Sequence, residues 1–249
     1  MSYILAVAGK GGTGKTTIAA LLINWLNKNK KGSVLAVDAD PNSTLAEALG
    51  VKAKESIGQI VESISQNPSQ VPGGMSKDHY IEYRLQETLS ENKGFDLLVM
   101  GRPEGPGCYC YVNNVLRGVV KKFADNYEYV VIDNEAGMEH LSRRTMRKAD
   151  CMVLVADCSA AGLRSVKRIY NLAKDLDIKT GKFVLAVNRV QNKDCLKNEI
   201  KEIGIEQAFC IPEDQKILEF SNQAIPLNKL NSDSVALKEI NKLGEELWH

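Results

Sequence analysis

The sequence predicts an α/β fold, a mostly parallel twisted sheet with helices on both faces. Two observations predict it. Short runs rich in Val, Ile and Leu recur along the chain and barely alternate between apolar and polar residues, as strands buried on both faces do. Longer amphipathic stretches separate most of these runs, and that βαβα rhythm is the pattern of parallel strands joined by helical crossovers. A glycine-rich turn between the first run and the first helical stretch agrees with the same architecture.

Taken in order, Tyr3 to Ala8 reads as the first strand. Thr16 to Asn29 reads as a helix with Ala19, Leu22, Ile23 and Leu26 on one face. Val34 to Val37 is a second strand. Leu97 to Met100, Tyr129 to Ile132, Met152 to Ala156 and Phe183 to Val187 are four more, with helices expected over Val112 to Ala124, Leu163 to Leu176 and Asp194 to Glu202. The stretch Lys52 to Lys93 carries Pro68, Pro72, Gly73 and Gly74. It reads as two short helices elaborating one domain that spans 1–249. A last helix over Ser234 to Trp248 aligns Leu237, Ile240, Leu243 and Leu247 for docking. Its polar face mixes Lys238 and Lys242 with Glu239, Glu245 and Glu246, unlike a basic membrane anchor.

With 44% hydrophobic residues the chain can bury a large core, which excludes a disordered polymer. Its 32 basic and 31 acidic residues give a net charge of +1, so no global field draws it to nucleic acid or anionic lipid, and neither is expected as a partner. No apolar run reaches the roughly 18 residues a membrane span needs, and the N-terminal stretch lacks a basic region, so a cytoplasmic protein with reduced thiols is expected.

Gly9 through Thr16, followed by Thr17, matches G-x-x-x-x-G-K-[ST] directly after a strand and directly before a helix. Gly11, Gly12, Thr13 and Gly14 let backbone amides converge on phosphate oxygens, and the helix N-terminus adds partial positive charge. Lys15 should reach the β- and γ-phosphates, Thr16 should offer its hydroxyl to Mg²⁺, and Thr17 should bond the α-phosphate. The domain is therefore read as a P-loop ATPase. Asp38, Asp40 and Asp133 stand at the carboxyl ends of strands, where open α/β sheets bind ligands, although such an acid can also cap a turn.

Lys10, a second lysine at the start of the loop, resembles the deviant Walker A loop of the MinD/ParA class. The resemblance implies a homodimer in which Lys10 reaches the partner's nucleotide as a catalytic cation, much as an arginine finger does. From the residues alone, a solvated lysine stays open. In the same class, Asp38-Ala39-Asp40-Pro41-Asn42 resembles switch I, with Asp40 orienting the attacking water and Asp38 holding Mg²⁺ through water. Asp133 resembles the Walker B acid on Mg²⁺, and Asn134-Glu135-Ala136-Gly137 resembles switch II, with the Gly137 amide turned to the γ-phosphate. The resemblance makes Asn188 a reader of the adenine edge and sets Pro212 and Glu213 against the base. As a residue type, Asn188 is also an ordinary turn former.

Cys108 and Cys110 follow Glu104-Gly105-Pro106-Gly107. In an extended stretch, residues two apart share a face, so both sulfurs could meet one ion. Two thiolates do not fill a four-coordinate shell, but a twofold dimer supplies four, which suits Zn²⁺ or Ni²⁺. Two reduced thiols packed in a loop fit the bare Cys-x-Cys as well. The combination Gly-Gly-Thr-Gly-Lys-Thr-Thr, Asp-Ala-Asp-Pro-Asn and Cys-Tyr-Cys resembles the nickel-insertion ATPases of the CooC/AcsF type over essentially the whole chain. That resemblance implies delivery of nickel to carbon monoxide dehydrogenase or acetyl-CoA synthase. An ATP-gated positioning or partitioning protein and an iron–sulfur electron carrier on the same four thiolates are the alternatives.

Cys151, Cys158 and Cys210 lie in or beside apolar runs and are expected in the core. Cys195 is expected to start a helix, His140 to be structural, and Arg143, Arg144, Arg147 and Lys148 to line a solvated helix face.

Overall fold

Strand β1 (Tyr3–Gly9) runs from a half-exposed start into five fully buried residues, then feeds the glycine-rich loop and helix α1 (Lys15–Asn29). A computed structural model describes residues 2–30, 32–102, 108–137, 148–176, 178–192 and 197–248. After α1 come β2 (Val34–Ala39), α2 (Leu45–Leu49), α3 (Ile57–Gln66), α4 (Lys77–Thr88), β3 (Ser90–Asn92), β4 (Phe95–Val99), α5 (Cys108–Ala124) and β5 (Tyr129–Asn134). The C-terminal half holds β6 (Lys148–Asp157), α6 (Ala160–Asp175), β7 (Lys179–Val190), α7 (Lys197–Ile203), β8 (Gln207–Pro212), α8 (Gln215–Asn222) and α9 (Val235–Trp248).

The strands form one eight-stranded sheet in the order β3-β4-β2-β5-β1-β6-β7-β8, antiparallel only at the β3–β4 pair. Alternation along β1 sends Leu5 and Val7 to the layer of α1, α2 and α9, and Ala6 and Ala8 to the layer of α3, α4, α5 and α6. The sheet on one side and α2 and α9 on others pack around α1, so it is buried almost all round rather than along the single face expected of it. The predicted α/β architecture is the one observed.

Several elements differ from the sequence reading. Two strands were not anticipated. Residues 90–92 are Ser-Glu-Asn, polar throughout, and pair only because Gly94, at φ +92, folds a tight hairpin onto β4. Strand β8 is an edge strand that is only partly buried, so its apolar signal is weak. Helices α2 and α8 were also missed, being five and eight residues long. The stretch 52–93 does carry two helices, α3 and α4.

Helix α5 begins at Cys108, not at Val112. The backbone of Cys108 and Cys110 is therefore helical, and alternation along an extended segment no longer gives a reason for both sulfurs to share a side. Cys151 is buried in β6, but Cys158 is exposed and Cys210 only partly buried, which corrects the expectation that all three are core. Cys195, His140, Arg143, Arg144 and Arg147 lie outside the described residues.

The C-terminal helix docks as its periodicity predicts, burying Ala236, Ile240, Leu243, Gly244 and Leu247. A Cβ at Gly244 would stand 2.5 Å from the Trp25 ring, and Trp248 stacks on Trp25 at 5.3 Å between centroids. Asp214 joins this helix to its neighbour. Oδ1 accepts from the Lys216 amide at 3.0 Å at the start of α8. Oδ2 accepts from the Ser234 hydroxyl at 2.6 Å and from the Ala236 amide at 3.3 Å at the start of α9. Asp214→Ala uncaps two helices at once. It should cost about 2 kcal/mol or more of stability with an unchanged urea m-value, while Asp214→Asn, which keeps an acceptor, should cost less. Urea titrations of the three proteins check this.

Candidate functional site

Parallel pairing brings three strand ends to one edge of the sheet. Val7 is level with Asp133, and Asp133 is level with Asp38, so the loop after Gly9 opens beside both acids. The loop turns through left-handed backbone at Gly12 (φ +80) and Gly14 (φ +94), where a side chain would be strained. At Gly14 a Cβ would also stand 2.3 Å from the Asn188 side-chain nitrogen. Buried Thr13 ties the turn by donating its hydroxyl to the Lys10 carbonyl at 2.9 Å. Helix α1 starts with no side-chain cap and no acid in its first turn, so its N-terminal field is not cancelled locally.

Lys15 is buried, and its amine donates to the Lys10 carbonyl at 3.4 Å. Burial pushes its pKa below the ordinary lysine value, against the pull of Asp133, Asp40 and Glu135. Asp133 is almost wholly buried, and neither carboxylate oxygen makes a hydrogen bond. Burial pushes its pKa up to about 7, the Asp38 and Asp40 charges push the same way, and the nearby Thr16 hydroxyl and Lys15 oppose them. Two orphaned carboxylate oxygens beside a threonine hydroxyl fit a hard divalent cation such as Mg²⁺, which takes oxygen ligands and keeps water.

Asp38, buried near the end of β2, accepts two backbone amides. Its Oδ1 accepts from the Asp40 amide at 3.1 Å and its Oδ2 from the Leu45 amide at 2.9 Å, so it pins the segment after β2. Burial raises its pKa to about 6 despite these two bonds. Asp40 is partly exposed, with Oδ1 accepting from the backbone and side-chain nitrogens of Asn42, each at 2.9 Å. Gly137 donates its amide to the Gly9 carbonyl at 3.0 Å, which latches the segment after β5 onto the loop; that amide could reach a phosphate only after the bond opens. Asn188 likewise donates its side-chain amide to the Thr13 carbonyl at 2.9 Å and ties the end of β7 to the loop. Pro212 pairs with Val190, and Glu213 donates its amide to the Val190 carbonyl at 3.2 Å, so this segment lies beside the end of β7.

Lys10 is exposed at the mouth of the loop. Cys108 and Cys110 open α5, but their side-chain placement lies outside the described residues, as do residues 103–107. Sequence reasoning placed Asn134 in switch II without a role for its side chain, and gave no role to Asp157 or Arg189. The buried Asn134 side chain donates to the Val7 carbonyl at 3.0 Å, and Arg189, at φ +59, donates to the Gly12 carbonyl at 3.2 Å. Asp157 follows an apolar run at the end of β6 just as Asp133 follows one at the end of β5, and that signal could have found it.

The raised pKa of Asp133 sets a sign. The folded chain holds this proton more tightly than the unfolded chain does, so the stabilisation is full below about pH 4 and is lost as pH rises through about 7. Asp133→Asn should therefore raise the Tm of the ligand-free chain by several degrees at pH 8 and by less than half as much at pH 5. The same variant should lose about tenfold or more of the affinity for nucleotide that Mg²⁺ confers. Thermal melts in chelator at both pH values, and nucleotide titrations with and without Mg²⁺, check both statements.

Comparison with known proteins agrees with this geometry. Residues 4–227 match the family model of the CobQ/CobB/MinD/ParA nucleotide binding domain. An uncharacterized ATP-binding protein of Methanocaldococcus jannaschii is 42% identical over 248 residues, 98% of each chain. The carbon monoxide dehydrogenase accessory protein CooC of Rhodospirillum rubrum is 35% identical over 190 residues, 71% of each chain. Among solved structures, the cell division ATPase MinD of Pyrococcus furiosus superposes with a TM-score of 0.76 at 23% identity, covering 99% of this chain and 98% of that one, a likeness of fold. With a glycine loop before an uncapped helix, buried acids at the adjoining strand ends and a family match that spans them all, the chain belongs to the CobQ/CobB/MinD/ParA family of nucleotide-binding ATPases.

Proposed function

We propose that this chain, acting as one ATPase domain in the cytoplasm, dimerises over ATP and carries Ni²⁺ on Cys108 and Cys110 to a nickel enzyme. The client would be carbon monoxide dehydrogenase or acetyl-CoA synthase. The observation that carries the reading is a backbone path between the nucleotide edge and the cysteines. The Asp38 carbonyl accepts from the Met100 amide at 2.8 Å, the Met100 carbonyl accepts from the Gly58 amide at 2.8 Å, and the chain then runs on to the start of α5 at Cys108. A displacement of the switch I segment is thus joined to the strand end from which the cysteine segment departs. The similarity to CooC, a carbon monoxide dehydrogenase accessory protein by name, supports the same client class.

In the hydrolytic step a water oxygen bonds to the γ-phosphorus, the bond from that phosphorus to the β-bridging oxygen breaks, and ADP and phosphate leave. Asp40 orients the water. Gly11, Gly12, Thr13, Gly14 and Thr17 cradle the phosphates, and Lys15, with Lys10 of the facing copy, neutralises charge on the transferred group. Thr16 and Asp133, with Asp38 acting through water, would hold Mg²⁺, which would supply further charge neutralisation there. Asn188, Pro212 and Glu213 frame the base, Asn188 through its grip on the loop. Loss of the γ-phosphate frees the segments after Asp40 and before Gly137.

Thiols at a helix N-terminus ionise more readily than free ones, and thiolates are strong ligands for Ni²⁺ and Zn²⁺. Two chains about a twofold axis offer four. The docked C-terminal helix keeps its apolar face on α1, an arrangement that favours this reading over a membrane-positioning one.

The parent protein should bind about one Ni²⁺ per two chains, with an affinity that changes about fivefold or more on addition of ATP, and Cys108→Ala/Cys110→Ala should abolish both effects. Equilibrium competition with a chromogenic chelator, on protein sized by light scattering, measures this. Unchanged binding in the double variant refutes the metal role. A visible iron–sulfur chromophore after anaerobic reconstitution would instead favour an electron carrier.

A further inference from the structure

Strand β7 shifts its pairing with β8 close to the nucleotide edge. Val187 is level with Cys210 and Val190 with Pro212, so three steps along β7 match two along β8 and one residue is extra. Arg189 lies in this bulge with a left-handed backbone, φ +59, a conformation that suits glycine and is costly for a long side chain. The side chain is exposed, so it does not fill the core. The bend is held on both sides. The Arg189 carbonyl accepts from the Cys158 thiol at 3.4 Å, and the Val190 carbonyl accepts from the Glu213 amide at 3.2 Å.

In a regular strand, Asn188 and Arg189 would point to opposite layers of helices. Here both reach the glycine-rich loop. The Asn188 side chain donates to the Thr13 carbonyl at 2.9 Å, and the Arg189 guanidinium donates to the Gly12 carbonyl at 3.2 Å. Two neighbouring residues of one strand thus hold two successive carbonyls of the loop. A trans peptide points its carbonyl and its amide in opposite directions, and none of the described peptide bonds is cis. With the Gly12 carbonyl turned out to Arg189, the Thr13 amide is turned into the loop, where it meets the Lys10 carbonyl at a long 3.5 Å. So long a bond yields readily to a better acceptor. Gly12 itself does not fix this peptide. Its φ is +80 and a Cβ there would meet nothing within 4 Å, so its backbone turns easily unless something outside it takes hold.

We propose that Arg189 is a positioning residue for nucleotide binding: its guanidinium, delivered by the bulge, fixes the peptide between Gly12 and Thr13 with the amide facing the phosphate tail that ADP and ATP share. This inference rests on the reading that Gly11 to Gly14 cradle the phosphates. An amide already turned to the phosphate need not be ordered when the ligand arrives. A hold that acts equally before and during phosphoryl transfer changes KM and leaves kcat alone.

Arg189→Gly removes the guanidinium and relieves the left-handed backbone, so binding and stability separate. Its Tm should stay within about 2 °C of the parent's or rise above it. With Mg²⁺ present, Kd for ADP and for inorganic pyrophosphate should each rise about fivefold or more, while Kd for AMP changes less than about twofold. KM for ATP should rise in step, with kcat within about twofold of the parent. In the ligand-free protein the backbone amide order parameter of Thr13 should fall from about 0.85 toward about 0.6. Arg189→Lys, which keeps the charge but not the planar fork, should recover part of the affinity.

Calorimetric titration, steady-state hydrolysis and NMR relaxation measure these quantities. Equal losses for AMP and ADP with unchanged pyrophosphate binding would place Arg189 on the base and overturn the proposal. Lost affinity with an unchanged order parameter at Thr13 would make Arg189 a direct ligand of phosphate and overturn it as well, as would an ADP Kd within twofold of the parent. The reading beneath is tested apart from this: Lys15→Ala that binds pyrophosphate as tightly as the parent would remove the cradle itself.

Discussion

Parallel pairing of β1 with β5, and of β5 with β2, is the constraint on which the site rests. Parallel strands all end on the same edge of their sheet, so the loop after Gly9, the acid Asp133 and the acid Asp38 meet there with no dedicated scaffold. The in-line register of Val7, Asp133 and Asp38 fixes their order across the edge. Shifting any strand by one residue would send its acid to the opposite layer of helices. The apolar interiors of β1, β2 and β5 hold that register, because both faces of the sheet are covered there and a slip would bury a polar side chain on the wrong one.

The same sealing sets the electrostatic character of the site. Asp133 is buried from water with only the Thr16 hydroxyl and Lys15 nearby to offset its charge, which weakens the ligand-free fold and strengthens every later interaction with a cation. Asp38 shares the burial but has two amide donors, and its rise in pKa is the smaller of the two. The two acids thus differ in how far the chain itself satisfies them. Lys15 is destabilised in its charged form by the same low-dielectric surroundings, so a phosphate anion would relieve both it and the helix N-terminus at once.

Much of this was legible in the sequence because it is local. Glycines at 12 and 14 are needed where the backbone is left-handed, and the lysine and threonine at 15 and 16 follow from helix geometry. The paired acids were legible because each ends a run of Val, Ile and Leu. What escaped was tertiary. The partner of Asn188 is a carbonyl 175 residues away in the chain, and no residue type announces that. The Gly105-Pro106-Gly107 stretch reads as a loop and hid the start of α5 by four residues. Three polar residues make β3 only because a hairpin delivers them to an edge. Cys158 looked like core by its neighbours, yet it follows the last residues of β6 and emerges into solvent beside Arg189.

The two faces of the sheet also constrain how nucleotide could act at a distance. Helix α1, which carries the loop, and helix α5, which begins at Cys108, pack on opposite layers. No side chain of one reaches the other through the sheet, so any coupling must pass around the strand ends. Two routes exist there. The Asp38 carbonyl is bonded to the Met100 amide, and on β5 successive residues face opposite layers, with Asp133 toward α1 and Asn134 toward the α5 side. Both routes are short and made of backbone or of buried side chains, which move as units rather than bending. A ligand that draws Asp133 and the Asp38 segment toward itself must therefore shift the far layer by a rigid displacement of strand ends. Its effect on α5 is bounded by how differently the two positions bind that ligand.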